Sequence, residues 1–175
     1  RWAETNMVES LFCAEDLFGD DLIISYGDIV YEPRVVNALL ESPHEISVVV
    51  DRCWRAYWEQ RFENPLDDAE TLRMDDKGRI TEIGNPPERI EDIEAQYTGL
   101  MRFRGSGIKT LLGTRQNFGK IHRPWMDGRD LEQAYMTDML MEIILTGHDV
   151  HGVCVERGWF EIDTPNDLEV ARSCL

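Results

Sequence analysis

The sequence predicts an α/β fold, a three-layer α/β/α sandwich around a mixed, mostly parallel sheet. Two continuous apolar runs of strand length, at residues 21–28 and 46–51, flank a helix-forming stretch at residues 34–41. Such runs are typical of strands buried on both faces, and two strands joined by a helix form a βαβ unit. The length of 175 residues suits one domain, residues 1–175, with a substantial core.

The other predicted elements follow from periodicity and turn signals. Asn6 or Thr5 can cap a first helix, and Asp75-Asp-Lys-Gly78 suits a hairpin turn in a small β excursion near residues 70–103. Thr164-Pro165 has the residue types that begin a last helix. Residues 70–74 and 79–83 are predicted to form a hairpin, and residues 96–103, 148–155 and 159–162 are predicted strands. Residues 129–146 are predicted to form one long amphipathic helix.

Composition and charge exclude some function classes. The net charge of -16 argues against a nucleic-acid partner and against an anionic membrane surface, because both need clustered Lys and Arg. A nucleotide partner is compatible with this charge if a metal ion bridges carboxylates to phosphates. No apolar run reaches membrane-spanning length, and no signal peptide is visible.

The cysteines predict no metal site. The four cysteines, Cys13, Cys53, Cys154 and Cys174, are far apart, without a CxxC pair. The first three lie in or beside apolar stretches. We therefore expect reduced, buried thiols in a cytoplasmic protein.

Two aspartates have the placement of metal ligands. Asp28 and Asp163 each follow an apolar strand, at the sheet edge where open α/β folds bind ligands. Two carboxylates brought together there repel unless a cation lies between them, which favours a Mg²⁺ site. The residues alone leave open that each is a turn or cap residue.

Longer motifs around these aspartates carry a family resemblance. Tyr26-Gly27-Asp28 and the stretch Trp159-Phe-Glu-Ile-Asp163-Thr-Pro-Asn-Asp-Leu resemble the two metal-binding segments of the nucleotidyltransferase superfamily. That superfamily has the GT-A-like, nucleotide-diphospho-sugar transferase-like fold. Further stretches resemble its phosphocholine and phosphonate cytidylyltransferase branch, at residues 5–11, 50–54, 96–100 and 136–140.

The resemblance implies Mg²⁺-dependent transfer of CMP from CTP, or from another NTP, to a phosphorylated or phosphonate small molecule. An acceptor of the phosphocholine or 2-aminoethylphosphonate type would attack the α-phosphate and release pyrophosphate. The metal would be held by Asp28 and Asp163. Asn6, Tyr26 and Gly27 would contact the nucleotide, although Asn6 is equally suited to cap the first helix.

Arg52 follows the second strand and is expected to grip the acceptor's phosphoryl group. A surface ion pair with Asp51 or another nearby acid is an equal alternative.

Aromatic residues suggest a box for a cationic acceptor. The box would use Trp54, Tyr57, Trp58 and Tyr97, with negative charge from Glu94, Asp138 and Glu161. The alternative is that the helix spacing of Trp54 and Trp58 packs them on the core, which we favour for at least one of them. Each acid is equally suited to be a solvated carboxylate.

One part of the family pattern is missing. The chain opens on Arg1-Trp2-Ala3, and no Gly-rich phosphate loop precedes the first helix. Gly105-Ser-Gly107 is expected to cap a helix instead. We therefore expect an N-terminally incomplete domain that is active only with the missing segment.

Two other functions stay open at this stage. A sugar-1-phosphate nucleotidyltransferase would replace the aromatic box with hydroxyl-binding amides and carboxylates. A non-catalytic binding module would not be stabilised by CTP and Mg²⁺. A homodimer is also left open.

Overall fold

The computed structural model describes residues 1, 3–118 and 129–174. Its helices are α1 (Met7–Phe12), α2 (Pro33–Glu41), α3 (Arg55–Arg61), α4 (Ser106–Phe118), α5 (Met136–Leu145) and α6 (Pro165–Cys174). Its strands are β1 (Asp21–Ser25), β2 (Ile29–Tyr31), β3 (Ile46–Asp51), β4 (Leu72–Met74), β5 (Ile80–Ile83), β6 (Gln96–Arg104), β7 (His151–Val155) and β8 (Trp159–Glu161). Within these residues, every helix is too short or too polar to cross a lipid bilayer.

The main sheet has the strand order β1-β6-β3-β7. β6 pairs antiparallel with both β1 and β3, so those two strands run in the same direction with β6 between them. β3 pairs parallel with β7. The mixed sheet is confirmed, but antiparallel pairings outnumber parallel ones among the described strands. The βαβ pattern predicted the direction of β1 and β3 and could not show that a later strand separates them.

Both faces of the sheet are covered, as predicted for a three-layer sandwich. Along β3, Val48 and Val50 belong to one hydrophobic cluster and Val49 to the other, because successive side chains of a strand point to opposite faces. The first cluster includes residues of α1, α4 and α5, and the second includes residues of α2, α3 and α6. Burial on both faces explains why the sequence of β3 is continuously apolar.

Some predicted elements are shorter or lie elsewhere. The helix expected at residues 129–146 begins only at Met136, since the Asp138 carboxylate accepts from the Tyr135 backbone N–H at 2.8 Å and caps α5 there. A 3₁₀ turn, Leu131–Gln133, precedes it. The strand expected from residue 148 begins at His151. The hairpin of β4 and β5 is confirmed, whereas β6 belongs to the main sheet and not to a separate excursion.

The prediction that the cysteines are buried was wrong, whereas the prediction of free thiols is confirmed. All four cysteines are free and exposed. Cys53, for example, lies in the turn after β3, where its own N–H is bonded to Asp51 while its side chain faces out. An apolar neighbourhood in the sequence does not bury a residue at the end of a strand or helix, because the chain turns into solvent there.

Asp51 joins β3 to the β7–β8 turn. Its carboxylate is fully buried and accepts from the Cys53 N–H at 2.8 Å, the Arg157 N–H at 3.0 Å and Trp159 Nε1 at 3.0 Å. Asp51 therefore helps to fix the turn that leads into β8, as expected for a buried carboxylate that must be hydrogen-bonded. Among the described residues Asp51 makes no ion pair with Arg52, so the alternative interpretation of Arg52 as its partner was wrong.

Gly99 permits a close approach between β6 and Tyr26. Its φ is +78°, and a Cβ there would lie 2.7 Å from Tyr26 Cδ2. Gly99→Ala is expected to lower the free energy of unfolding by about 1–3 kcal/mol, because it combines a left-handed backbone with a steric clash. Gly113→Ala in α4 is the matched control. Its Cβ would meet nothing within 4 Å, so it should be neutral or stabilising. Equal effects of the two variants in urea unfolding would contradict this interpretation.

Candidate functional site

Two adjoining cavities open beside the turn between β1 and β2. The first, of about 530 Å³, is lined by Asn6, Tyr26, Gly27 and Asp28 and is called here the Asp28 cavity. The second, of about 200 Å³, is lined by Glu70, Gln96, Tyr97 and Glu161 among others and is called the Glu70 cavity. Met7 and Tyr26 line both cavities. The three residues predicted to contact a nucleotide, Asn6, Tyr26 and Gly27, therefore share one cavity with Asp28.

Asp28 and Asp163 lie at one end of a two-stranded sheet. β2 pairs antiparallel with β8, with Ile29 opposite Glu161. The Ile162 N–H donates to the Asp28 carbonyl oxygen at 2.9 Å, so the backbones that carry the two aspartates are neighbours. The structure thus brings together the pair that the sequence singled out, through a small antiparallel sheet rather than through adjacent strands of the main sheet.

Arg61, at the end of α3, binds three carboxylates near this pair. Its Nη2 lies 2.7 Å from Asp163 Oδ2, its Nη1 2.7 Å from Glu161 Oε2 and its Nε 3.0 Å from Asp167 Oδ1. The guanidinium is fully buried, which lowers its pKa, but the bonds to Glu161 and Asp167 outweigh burial and raise that pKa above the ordinary value. Sequence analysis missed Arg61, since its partners lie about 100 residues away and leave no local signal.

The chemistry of the two aspartates is compatible with a Mg²⁺ ion that also binds phosphate oxygens. Asp28 is exposed and has no ion pair with a described residue. The side chain of Asp163 is half-exposed, and only its Oδ2 is bonded within the described chain. Mg²⁺ commonly takes one or two carboxylates and completes its shell with phosphate oxygens and water. In the parts of the chain that the structure describes, no group of three His, Cys, Asp or Glu side chains could hold a metal alone.

The Glu70 cavity combines aromatic rings with carboxylates. The rings of Tyr26 and Tyr97 meet edge to face at 5.7 Å. Trp58 donates from Nε1 to Asp68 Oδ2 at 3.1 Å. The other lining side chains of these two kinds are Tyr135, Glu70, Glu161 and Asp163. Trp58, Tyr97 and Glu161 were predicted for a cationic acceptor, whereas Tyr135, Asp68 and Glu70 were missed.

Glu70 is the acid whose surroundings are most unusual. The Gln96 side chain fixes its backbone, donating from Nε2 to the Glu70 carbonyl at 2.6 Å and accepting from the Glu70 N–H at 3.3 Å. Burial, and then repulsion from Asp138 and Asp68, raise the pKa of the Glu70 carboxyl to about 7. Burial likewise raises the pKa of the Tyr97 and Tyr26 hydroxyls. The raised pKa values follow mainly from burial, and two other acids of the cavity, Glu161 and Asp163, are already paired with Arg61.

Four residues predicted for the acceptor box lie outside the cavity. Trp54 and Trp58 are both 3% exposed and pack edge to face at 6.0 Å, which confirms core packing for at least one of them, although Trp58 also lines the cavity. Tyr57 is fully buried, and its hydroxyl donates to the Glu161 carbonyl oxygen at 2.9 Å. Glu94 is exposed and accepts from the Met74 N–H at 3.0 Å, beside the β4–β5 hairpin. Asp138 is buried against Arg129 at 3.1 Å and caps α5. Local spacing predicted aromatic and acidic character but not the direction of each side chain.

Of the two remaining predicted site residues, Arg52 lies outside both cavities and Asn6 lines one of them. Arg52 is exposed after β3 and lines neither cavity, so its predicted grip on a phosphoryl group stays a prediction. Asn6 accepts from the Met7 N–H at 2.9 Å and also lines the Asp28 cavity, so its two interpretations are compatible.

The glycine pair near residue 106 starts a helix, as predicted. α4 begins at Ser106, and Gly107 packs so closely on the Glu45 backbone that a Cβ there would clash with it. The segment lines neither the Asp28 cavity nor the Glu70 cavity.

The chain is similar to known nucleotidyltransferases, in agreement with the geometry of the site. No protein-family model matches the chain. It is 37% identical over 177 residues to the CTP:phosphoglutamine cytidylyltransferase of Campylobacter jejuni, covering 97% of this chain and 68% of that protein.

Two solved structures share its fold. One is the inositol-1-phosphate CTP transferase from T. maritima, with a TM-score of 0.69 and 20% identity over 98% of this chain. The other is a putative glucose-1-phosphate thymidylyltransferase from Bacillus anthracis, with a TM-score of 0.66 and 14% identity over 99% of this chain. The chain spans 62% of the length of each of these structures.

Proposed function

Because the chain belongs to the cytidylyltransferase family of the nucleotidyltransferases, we propose that the protein transfers CMP from CTP to a phosphorylated or phosphonate small molecule. Pyrophosphate would be the second product. The observation that carries the proposal is that Asp28 lines one cavity with Asn6, Tyr26 and Gly27, while Asp163, whose backbone neighbours that of Asp28, lines the adjoining Glu70 cavity. A triphosphate placed there would meet two carboxylates only with a cation between them.

In this proposal the chain contributes positioning and charge. Asp28 and Asp163 would hold Mg²⁺, which when bound neutralises phosphate charge in the reaction. Asn6 and the backbone around Gly27 would orient the nucleoside. The acceptor's phosphate or phosphonate oxygen would attack the α-phosphate in line from the side of the Glu70 cavity, which adjoins the Asp28 cavity at Tyr26.

The active enzyme is proposed to include the phosphate-binding loop that the family resemblance implies. Among the described residues, neither cavity is lined by a lysine or an arginine. A triphosphate carries several negative charges, and the acids of both cavities add to the repulsion. Backbone N–H groups and basic side chains from such a loop would balance this charge.

The acceptor is proposed to carry a positively charged nitrogen. The Glu70 cavity presents four aromatic rings and four carboxylates, of which Glu161 and Asp163 are paired with Arg61, while Asp68 and Glu70 have no ion pair with a described residue. Aromatic rings beside such acids attract an ammonium group. Phosphocholine and 2-aminoethylphosphonate carry such a group, and so does the phosphoglutamine named for the relative through its α-amino group. Gln96, the side-chain amide that lines this cavity, already makes two bonds to the Glu70 backbone, which leaves less of its hydrogen-bonding capacity for sugar hydroxyls. The cavity therefore favours an amine acceptor over a sugar 1-phosphate.

The test is pyrophosphate release by the longest form of the protein, with its N-terminal region included, in Mg²⁺ and CTP. Phosphoglutamine, phosphocholine and 2-aminoethylphosphonate would be offered beside inositol 1-phosphate and glucose 1-phosphate. We expect release with one of the first three. Release with only the sugar or inositol phosphates would reject the amine acceptor. A folded protein that releases no pyrophosphate with any acceptor or NTP would be a binding module.

Glu70→Gln tests the amine-binding role. Above its pKa of about 7 the Glu70 carboxyl is ionised, so a cationic acceptor binds without releasing a proton. Below that pH the carboxyl is protonated, and it must lose its proton before it can pair with the cation. The acceptor KM of the wild type should therefore rise about tenfold from pH 8 to pH 6. Glu70→Gln should raise the KM at pH 8 by about 10–100-fold and lose most of that pH dependence.

The acceptor's own phosphate titrates in both proteins, so the difference between their profiles reports Glu70. Glu88→Gln, in an exposed loop, is the matched control and should behave as the wild type. Parallel pH profiles for the wild type and Glu70→Gln would rule out a role for Glu70 in binding the cation.

A further inference from the structure

We propose that Arg61 is a positioning residue, which sets the orientation of the Asp163 carboxylate for the metal and ties it to the wall of the acceptor cavity. The inference rests on the proposed function, because it concerns the same metal site. It adds a residue that neither the sequence motifs nor the comparisons indicate.

The first argument is the geometry of the guanidinium. Its Nη2, Nη1 and Nε each donate to a different acid, at 2.7, 2.7 and 3.0 Å from Asp163, Glu161 and Asp167. A planar guanidinium has its donors in a fixed fork, so the orientation of one carboxylate restricts that of the other two. With Oδ2 of Asp163 held in this way, Oδ1 is the oxygen left for a metal.

The second argument is that the Asp163 backbone is held by the same network. Asp167 Oδ2 accepts from the Asp163 N–H at 3.1 Å and from the Thr164 N–H at 2.8 Å. Its Oδ1 accepts from Arg61 at 3.0 Å. Both the main chain and the side chain of Asp163 are therefore oriented through Arg61 and Asp167.

The third argument is the contact with the acceptor cavity. The guanidinium carbon of Arg61 lies 5.2 Å from the centre of the Trp58 ring, and Trp58 and Glu161 both line the Glu70 cavity. Further rings, of Tyr57 and Phe62, lie 5.4 and 5.0 Å away. One side chain thus contacts a proposed metal ligand and two residues of the acceptor wall.

A purely structural role does not explain the whole arrangement. The side chain of Asp167 is 3% exposed and satisfies the buried cation, whereas the side chain of Asp163 is 48% exposed. An exposed partner adds little to the stability of an ion pair. The bond to Asp163 is better explained by the need to hold that carboxylate in one orientation.

Arg61→Lys tests the proposal in the full-length enzyme. Lysine keeps the charge, but one ammonium group cannot reach three carboxylates in the same geometry. We expect the Mg²⁺ concentration for half-maximal pyrophosphate release to rise at least tenfold, and kcat to fall 10–100-fold. Arg55→Lys, in an exposed pair with Glu59 on the same helix, is the matched control and should change neither value.

The outcomes separate the inference from the proposed function. A wild-type enzyme without CTP turnover would reject the proposed function itself. An active wild type with an Arg61→Lys variant of unchanged Mg²⁺ dependence would overturn the positioning role, even if kcat fell.

A second variant covers the case in which Arg61→Lys does not fold. Asp167→Asn leaves Arg61 in place and removes the charge of the acid that holds the Asp163 backbone. It should raise the half-saturating Mg²⁺ concentration at least threefold; an unchanged value would also overturn the inference.

Discussion

Asp28→Asn is expected to lower kcat/KM for CMP transfer by about 10²–10³-fold in the full-length enzyme, and Asp163→Asn should have a similar effect. Asn has nearly the shape of Asp but lacks the charge that binds a divalent cation and balances phosphate. Asp28 is exposed and makes no ion pair with a described residue, so its replacement leaves the described contacts intact. The measurement is pyrophosphate release over a range of Mg²⁺ concentrations.

The two variants differ in how cleanly they test the metal site. Asp163→Asn also removes one carboxylate from Arg61, whereas Asp28→Asn removes no described side-chain contact. Asp76→Asn, in the exposed turn of the β4–β5 hairpin, is the matched control and should keep the wild-type rate. A normal rate for Asp28→Asn at every Mg²⁺ concentration would show that the metal assignment is wrong.

Asp51→Ala is expected to lower the free energy of unfolding by about 3–5 kcal/mol, the largest effect on stability that we predict. Three donors converge on this carboxylate: the N–H groups of Cys53 and Arg157, and Trp159 Nε1. Trp159 is 1% exposed, so water cannot easily replace the lost acceptor. Urea unfolding followed by circular dichroism measures the change.

The neighbouring residue provides the control for this prediction. Arg52→Ala removes an exposed side chain one position later and should change stability by about 0.5 kcal/mol or less. Trp159→Phe in the Asp51→Ala background should cost less than Trp159→Phe alone, because the indole N–H has already lost its partner. Equal losses for Asp51→Ala and Arg52→Ala would contradict the role given to Asp51.

The candidate site illustrates which predictions local sequence supports. Asp28 and Asp163 could be singled out because each follows an apolar strand, and their motifs extend over adjacent residues. Trp58 and Tyr97 were predicted for an acceptor box and do line the Glu70 cavity. The sequence predicted the same role for four residues that lie outside that cavity, Trp54, Tyr57, Glu94 and Asp138. Residue type indicates the chemistry available, whereas the direction of a side chain depends on which elements pack against it.

The sequence by itself determined the α/β class, the paired aspartates, the family resemblance and the start of the last helix. These features depend on periodicity, caps and motifs, which are contained in short stretches of chain. Only the tertiary structure decided that β6 lies between β1 and β3 and that Arg61 binds three acids. It also decided that Glu70 lines a cavity and that the pKa of its carboxyl is raised. The bonds of Arg61 span 100 to 106 residues, and the pKa of Glu70 depends on burial among distant elements. Such contacts form only when the layers pack together, so no local pattern in the chain encodes them.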